Sequence, residues 1–411
     1  MEYEHTNSLA VLLKILRPRH VAEFLKFGLT FIPGKIWKMI CKDMWLITEN
    51  ADTARDNGYW LFRYIRENHP ERKVYYIIRK DVSDYSKVCG LGNVIRYRSL
   101  LHYMIMWAVT VFIGTTKNHG FPDEATGEFL AGRHICGFRY VFLNHGVARG
   151  HSYIVDGRYT YYDMLIAISE REKQTMVALN NQDPGRIHAI GFCRHDNLND
   201  TLLDKHLIVF MPTWRNWLDF RHESDPDKIE SIKKAYFQSP YYQRCDELIQ
   251  SRELAAFLEE HDLHLIMYLH NYAQAYTQYF HPVSDRIRIA HKEEDDIQEL
   301  LKRAAYLITD YSSVIFDFAY MKKPCCYYQF DAEEFARNQY AESEFFSYEK
   351  DGFGPVFSNL NQVIGDLKKS CDKGFAMEPM YKKRVEDYFP SFGKDHCERT
   401  YALISGLRER H

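Results

Sequence analysis

The sequence predicts an α/β protein with two doubly wound parallel sheets. From residue 44 onward, short apolar runs of strand length alternate with amphipathic stretches of helix length. This alternation is typical of parallel sheets that carry helices on both faces. The chain has 411 residues, of which 46% are hydrophobic and 15% aromatic. It is therefore long enough for two domains of about 150 residues, each with its own core.

The first half of the chain holds seven predicted strands. They lie at residues 45–48, 74–78, 94–97, 109–114, 140–144, 164–167 and 187–191. Helices are predicted between them at residues 53–68, 100–107 and 170–180. We expect this domain to cover residues 44–200, because the polar run Asn197-Leu198-Asn199-Asp200 is typical of a linker.

The second half repeats the alternation and is expected to form a domain over residues 201–394. Its predicted strands lie at residues 207–211, 263–269, 287–290, 304–308 and 325–328. Long helical segments are predicted at residues 227–260 and 293–303. Another helix is predicted to start after Ser312 or Ser313, since either serine is a natural N-cap.

Residues 1–43 differ in character from both domains. Residues 1–42 contain seven Lys and Arg residues against three Glu residues. Apolar residues recur at helical spacing, at positions 9, 12, 13 and 16 and again at 21, 24, 25 and 29. Basic amphipathic helices of this kind bind anionic membrane surfaces. A pair of helices packed on the domain, with a solvated basic face, explains the pattern equally well.

The composition excludes several classes of protein. A net charge of −3, from 53 basic and 56 acidic residues, gives no support to nucleic-acid binding. Nine cysteines without a CxxC pair argue against a disulfide framework and a zinc cluster, and favour a reducing cytosol. No apolar run reaches the roughly 20 residues that cross a bilayer, and the start lacks a signal-peptide layout. Walker, Rossmann-glycine and Gly-x-Ser-x-Gly motifs are missing as well.

Four polar clusters follow predicted strands, at the edge of the sheets where ligands bind in such folds. We therefore expect them to meet at a cleft between the two halves. The clusters are Asn144-His145-Gly146, Pro212-Thr213-Trp214-Arg215, His270-Asn271-Tyr272 and Thr309-Asp310-Tyr311-Ser312-Ser313.

The two histidines in these clusters are candidate catalytic residues. His145 would emerge at a strand tip beside a glycine, where an imidazole can act as a general base. His270 would donate to a phosphate oxygen or a leaving group. For each, a structural histidine bonded to a loop is the alternative.

The remaining polar residues suit a phosphate-bearing ligand. Hydroxyls of Thr309, Ser312 and Ser313 surround the free N–H groups of a helix start, which favours an anion. Arg215 offers a planar fork for phosphate. Asp310 either accepts from a ligand hydroxyl or caps the helix.

Three further residues are weaker candidates. His151 lies close to His145 in sequence. Arg194 and Asp196 follow the last strand of the first half and either line the cleft or form a salt-bridged hinge. There is no clear metal cluster. We expect no tightly bound cofactor. A divalent cation such as Mg²⁺ could assist the reaction.

Together these motifs resemble the CDP-glycerol glycerophosphotransferase family, which primes or polymerises teichoic acids and related phosphate-linked glycans. The resemblance covers most of residues 44–405. The motifs that carry it are Thr309-Asp310-Tyr311-Ser312-Ser313-Val314, Phe316-Asp317, Lys323-Pro324, Pro212-Thr213-Trp214-Arg215, His145-Gly146, His270, Gly354-Pro355, Asp395-His396 and Glu398-Arg399.

The resemblance implies a GT-B fold with a CDP-activated donor held by the C-terminal domain. It also implies that residues 395–411 form a helix that returns to the N-terminal domain. The implied reaction is in-line attack of an acceptor hydroxyl on the phosphorus that bears the alditol, with CMP leaving. His145 would be the base, and the pyrophosphate would be held by the residues Arg215, His270, Thr309, Ser312 and Ser313.

Two departures from the family pattern concern the acceptor. The usual His-Gly-Thr-Pro-x-Lys is replaced by His145-Gly146-Val147-Ala148-Arg149-Gly150, so Arg149 is a candidate substitute for the lysine. Arg194-His195-Asp196 stands where Arg-Asn-Asp is usual. Donor chemistry therefore transfers more directly than acceptor identity, and the alditol is glycerol, ribitol or another polyol.

The expected function is transfer of an alditol phosphate to a glycan or lipid-linked acceptor, at the inner face of the cell membrane. Two alternatives remain open at the sequence level. One is a GT-B glycosyltransferase that uses a nucleotide-sugar, because the same fold supports that chemistry. The other is a non-catalytic binding subunit of a polymer-assembly complex.

Overall fold

The chain folds into two compact units in a computed structural model that describes residues 18–198, 203–221, 223–339 and 343–407. Unit 1 consists of Met1–Asn197 and Pro390–His411, and unit 2 of Leu198–Phe389. The apolar repeat predicted at residues 9–16 and linker residues 199 and 200 lie outside the described part. All nine cysteines are free thiols.

Unit 1 contains a seven-stranded parallel sheet in the order β3-β2-β1-β4-β5-β6-β7. Its strands are β1 (Trp45–Thr48), β2 (Val74–Ile78), β3 (Val94–Arg96), β4 (Val111–Gly114), β5 (Arg139–Phe142), β6 (Met164–Ala167) and β7 (Ile187–Ala189). Every residue of β1, β4 and β6 is buried, as expected for central strands of a sheet covered on both faces.

The helices of unit 1 connect these strands. They are α1 (Pro18–Ile40), α2 (Asn57–Asn68), α3 (Tyr85–Cys89), α4 (Leu100–Ala108), α5 (Glu124–Gly132), α6 (Glu170–Asn180) and α7 (His195–Leu198). The helix predicted from residue 53 starts later, because the Asp56 side chain accepts from the Asn57 N–H and caps α2 there. The residues before it form a loop held by the buried Glu49, which accepts from the N–H groups of Arg55 and Asp56.

Unit 2 contains a six-stranded parallel sheet in the order β10-β9-β8-β11-β12-β13. Its strands are β8 (Asp204–Met211), β9 (His264–Met267), β10 (Ile287–Ile289), β11 (Ala304–Thr309), β12 (Cys325–Tyr328) and β13 (Val356–Phe357). The prediction of two parallel, doubly wound sheets is thus confirmed.

The long helical segment predicted at residues 227–260 is three helices. Ser239 and Ser251 each accept a hydrogen bond from the backbone three residues ahead and start a new helix, and Pro240 ends the preceding one. The helices of unit 2 are α8 (Pro226–Gln238), α9 (Pro240–Ile249), α10 (Arg252–Glu260), α11 (Ile297–Arg303), α12 (Val314–Tyr320), α13 (Ala332–Asn338), α14 (Tyr348–Asp351), α15 (Leu360–Asp372) and α16 (Pro379–Tyr388).

The last helix, α17 (His396–Ser405), belongs to unit 1. The Asp196 carboxylate accepts from the N–H groups of His396 and Cys397, both at 2.9 Å, and so caps this helix. Tyr401 stacks on His69 at the end of α2, with the ring centroids 4.0 Å apart.

In both sheets the strand order reverses once, between β1 and β4 in unit 1 and between β8 and β11 in unit 2. In open parallel sheets, ligands bind outside the carboxyl ends of the strands at such a reversal. The loops after β8 and β11 carry the two most specific sequence motifs. His145 follows β5, which is the neighbour of β4.

Candidate active site

His145 lies at the carboxyl end of β5 with an exposed side chain. Its Nδ1 is 3.0 Å from the carbonyl oxygen of Thr115, just after β4. Because a carbonyl can only accept, Nδ1 carries the proton and Nε2 keeps its lone pair. The ring is therefore held in the tautomer that a general base requires.

The charge state of His145 suits the same role. Desolvation by the surrounding loops lowers its pKa, and nearby Arg194 and His119 act in the same direction. Asp56 and the hydrogen bond to Thr115 oppose the shift without cancelling it. The imidazole is therefore neutral at neutral pH and ready to accept a proton.

The loop that carries His145 is fixed by a buried carboxylate. Glu172, on α6, accepts from the Ala148 N–H at 2.7 Å and from the Asn144 amide at 3.2 Å. The Asn144 side chain in turn accepts from the His145 N–H at 2.9 Å, and its backbone adopts φ 62°. Burial raises the pKa of Glu172 to about 8, against the pull of its backbone donors.

Arg194 and Asp196 support unit 1 from within. Arg194 is 5% exposed, and its Nη1 donates to Asp56 at 2.7 Å and to the His145 carbonyl at 3.2 Å. Asp196 is engaged by the start of α17. Of the two alternatives, these contacts favour the structural one: Arg194 braces the loop of His145, and Asp196 anchors the final helix.

Arg149 and His151 lie on the same loop after β5. Arg149 is half-buried. The Nε2 of His151 lies 2.7 Å from the carboxylate of Asp156, and the imidazole remains 42% exposed. These two residues stay candidates for the acceptor side.

In unit 2, Arg215 is fully buried at the carboxyl end of β8. Its guanidinium donates to Asp331 at 2.7 and 2.9 Å and to Asp310 at 3.0 Å, and it also donates to the Thr213 carbonyl at 2.5 Å. Both carboxylates are buried too, at 1% exposure or less. The predicted phosphate contact is therefore corrected, because Arg215 joins the loops after β8, β11 and β12 instead.

The predicted ligand contacts of Thr309 and Asp310 are corrected as well, because both side chains are buried and bonded within the protein. The Thr309 hydroxyl donates to the Met211 carbonyl at 2.7 Å and is buried between the two strands. The Asp310 carboxylate accepts from the hydroxyl of Thr213 at 2.6 Å and from its N–H at 2.8 Å. Both side chains hold the reversal of the sheet in shape and present no atom to a ligand.

Ser312 and Ser313 remain partly exposed ahead of α12. Ser313 occupies the N-cap position with φ −71° and ψ −11°, and its side chain makes no cap hydrogen bond. Ser312 accepts only a long 3.4 Å bond from the Val314 N–H. The predicted side-chain cap is thus weak, and both hydroxyls stay available to an anion.

His270 is half-buried after β9 and has the opposite tautomer to His145. Its Nδ1 accepts from the Tyr272 N–H at 3.2 Å, so the proton sits on Nε2. The ring lies roughly parallel to Trp214, 6.0 Å between centroids. An oriented Nε2–H is the donor that a phosphate oxygen accepts from.

Sequence reasoning missed several residues that build the site. Asp331 follows a strand, and Glu172 lies in the first turn of a helix. The pattern Ser169-x-x-Glu172 resembles a capping box, which is a signal in the sequence for Glu172. The motif residue Lys323 is also structural, since its ammonium donates to the carbonyls of Leu301 and Ala304, both at 2.9 Å, at the end of α11. Among the described residues, no group of three or more His, Cys, Asp or Glu side chains is placed to hold a metal ion.

The model of a family described as CDP-Glycerol:Poly(glycerophosphate) glycerophosphotransferase matches residues 37–406. The chain belongs to this family. The resemblance inferred from the motifs is thereby confirmed over most of the sequence.

Two relatives of this glycerophosphotransferase family member come from Bacillus subtilis (strain 168). The minor teichoic acid biosynthesis protein GgaB is 29% identical over 369 residues, covering 89% of this chain and 40% of GgaB. The teichoic acid poly(glycerol phosphate) polymerase is 23% identical over 363 residues, covering 79% of this chain and 44% of the polymerase. The chain thus spans less than half the length of either relative.

The structure of the wall teichoic acid polymerase TagF superposes with a TM-score of 0.66 at 17% identity, covering 97% of this chain and 98% of the solved TagF chain. This match supports the predicted class of fold, with two Rossmann-like α/β domains of the GT-B type.

Proposed function

We propose that the chain transfers an alditol phosphate, glycerol phosphate or ribitol phosphate, from a CDP-activated donor to a hydroxyl of a glycan or lipid-linked acceptor. CMP is the second product. The observation that carries the proposal is the tautomer of His145: its Nδ1 donates to the Thr115 carbonyl, so the lone pair of Nε2 is left to accept a proton at the exposed end of β5. Family membership and a TagF structure obtained after soaking with CDPG support the donor.

In the proposed reaction His145 Nε2 removes the proton of the acceptor hydroxyl. The resulting oxygen attacks the phosphorus that bears the alditol, and the bond from that phosphorus to the CMP oxygen breaks. Phosphoryl transfer requires positioning and charge stabilisation rather than a covalent enzyme intermediate. Acceptor deprotonation is thus the contribution of unit 1.

Unit 2 is proposed to bind the diphosphate. The partly exposed hydroxyls of Ser312 and Ser313 would donate to the phosphate oxygens, and His270 would donate from the end of β9. Arg215 and Asp310 act behind them by fixing the loops. A divalent cation, if required, arrives with the diphosphate, and adding EDTA to the assay tests that requirement.

The test is CMP release by the purified protein from CDP-glycerol and CDP-ribitol, with lipid-linked disaccharide or free glycans as acceptors. Replacing His145 by alanine should lower the rate by about 10²–10⁴-fold, the usual contribution of a general base. His206→Ala is the matched control, because this exposed histidine lies on β8 before its carboxyl end.

No CMP from either donor with any acceptor would refute the proposal. Release of UDP or GDP from a nucleotide-sugar would favour the glycosyltransferase alternative, and saturable donor binding without turnover would favour a binding subunit.

We also propose that unit 1 contacts the inner face of the cell membrane through α1. One face of α1 packs on α4: Trp107 donates to the Phe27 carbonyl at 3.0 Å, and Phe27 meets Tyr103 with the ring centroids 5.1 Å apart. Another face carries an apolar stripe at helical spacing, 39% to 76% exposed. The stripe consists of Val21, Leu25, Leu29, Ile32, Ile36, Met39 and Ile40.

Charge on α1 favours an anionic lipid surface as the occupant of this stripe. Lys26, Lys35, Lys38 and Lys42 lie on or just after the helix, and Glu23 is the only acid within it. No helix in the described ranges is long and apolar enough to cross a bilayer. The proposed mode is contact along the membrane surface, because the exposed apolar stripe and the lysines both lie on α1.

Vesicle co-sedimentation tests the membrane contact. The double change Leu25→Glu with Leu29→Glu should abolish binding to phosphatidylglycerol vesicles without disturbing the packed face. Met380→Glu, at a similarly exposed methionine of α16, is the control. Unchanged sedimentation of the double variant would contradict the proposal.

A further inference from the structure

The loop from residue 143 to 163, between β5 and β6, is long yet fixed. Asn180, at the end of α6, accepts from the Ser152 N–H at 2.7 Å and donates to the Gly150 carbonyl at 3.0 Å. The Tyr162 hydroxyl donates to the Ile154 carbonyl at 2.9 Å. Long loops without regular structure are usually functional or disordered, and these bonds argue for function.

A buried carboxylate holds an arginine and a histidine at the surface of this loop. Asp156 has a fully buried side chain, accepts from Arg158 at 2.7 Å and lies 2.7 Å from His151 Nε2. Each of the two partners is 42% exposed. Desolvation opposes ionisation, but the bonds from Arg158 and His151 hold the pKa of this carboxyl well below its usual range.

Aromatic rings lie beside these two side chains. Tyr153 is 67% exposed, and its centroid lies 5.2 Å from that of His151 and 5.3 Å from that of Tyr159. The Arg158 guanidinium lies 5.4 Å from the Tyr159 centroid. His151, Tyr153, Arg158 and Tyr159 are called the aromatic platform.

We propose that the aromatic platform binds a sugar ring of a phosphate-linked glycan acceptor. The apolar face of a pyranose packs on an exposed tyrosine, and an adjacent phosphodiester is paired by Arg158. A ring-free polyol phosphate chain matches the Arg158 guanidinium but offers no sugar ring to pack on Tyr153. This inference rests on the proposed function for its acceptor role.

The platform contacts the acceptor away from its reacting end. Glu172 fixes the loop next to His145, and Asn180 fixes it next to the platform. Asn180 lies eight positions after Glu172 on α6, which corresponds to about 12 Å of helix. The platform therefore strengthens binding of acceptors longer than one sugar and takes no part in the chemical step.

The kinetic test compares CMP release with a synthetic phosphate-linked trisaccharide and with a ring-free glycerol phosphate oligomer. Tyr153→Ala should raise KM for the trisaccharide about tenfold, the loss expected for one aromatic contact, and leave KM for the oligomer unchanged. Tyr153→Phe keeps the ring and should behave as wild type. Tyr279→Ala, at a tyrosine 42% exposed in unit 2, is the matched control. An equal effect on both acceptors, or none on either, would overturn the proposal.

A binding test separates this inference from the proposed function. In a His145→Ala background, saturation-transfer NMR should show contact between the trisaccharide and the protein, lost on adding Tyr153→Ala. Contact without CMP release by the wild type would refute the transferase and leave the platform standing. CMP release without contact at Tyr153 would refute the platform alone, and vesicle binding lost in Tyr153→Ala would reassign it to lipid.

Discussion

Replacing Asp331 by alanine tests whether Arg215 is structural. The change removes two hydrogen bonds, of 2.7 and 2.9 Å, from a guanidinium that has no exposed surface. Breaking one partner of a buried ion pair costs about 3–5 kcal/mol, and two bonds to a charged group at about 1.5–3 kcal/mol each give a similar figure. We expect the free energy of unfolding of unit 2 to fall by about this amount.

The measurement is urea unfolding monitored by hydrogen exchange of peptides from β8 and β11. These peptides report the free energy of unfolding of unit 2 separately from that of unit 1. Asp387→Ala is the control, because its ion pair with Lys383 is exposed on α16. The folded Asp331→Ala protein should keep the wild-type KM for the CDP donor. Unchanged unfolding together with a tenfold higher donor KM would show that Arg215 serves the donor and that the structural account is wrong.

Two further predictions concern the base. Because desolvation lowers the pKa of His145, kcat/KM for CMP release should not change with pH around neutrality. It should fall only at pH values below the ordinary pKa of histidine, where the imidazole gains its proton. If the same fall at low pH persists in His145→Ala, this prediction is contradicted. Glu172→Ala frees the loop of the base and should lower kcat by up to about 10²-fold with donor KM unchanged. The exposed neighbour Glu170→Ala is its control, and equal kcat values for the two variants would refute the role of Glu172.

Much of the fold was predictable because its signals are local. Strands such as β6 and β12 are short apolar runs, and parallel pairing follows from their alternation with helices. Boundaries failed where one residue changes the backbone, as where Ser239 and Pro240 divide a predicted helix. The two-residue strand β13 was not predicted, since so short a segment has no periodicity.

The candidate site was predicted in its location but only partly in its roles. His145 and His270 were predicted because each follows a strand. Their tautomers depend on backbone contacts that the sequence does not show. The same criterion predicted Arg215 as a phosphate-binding residue, because the local sequence does not reveal its ion pair with Asp331, 116 residues away. Motif residues therefore divide into those facing a ligand and those holding the loops, and only the tertiary contacts separate them.

The contact between Asp196 and the start of α17 joins positions 200 residues apart in the chain. Unit 2 is thus an insertion within unit 1, and a ribosome must synthesise all of unit 2 before the last helix of unit 1 exists. Loop closure over such a span is slow, so the first sheet emerges early but waits for its final covering helix. A nascent chain halted before residue 396 would leave the ring of His69 and the carboxylate of Asp196 without their partners from that helix.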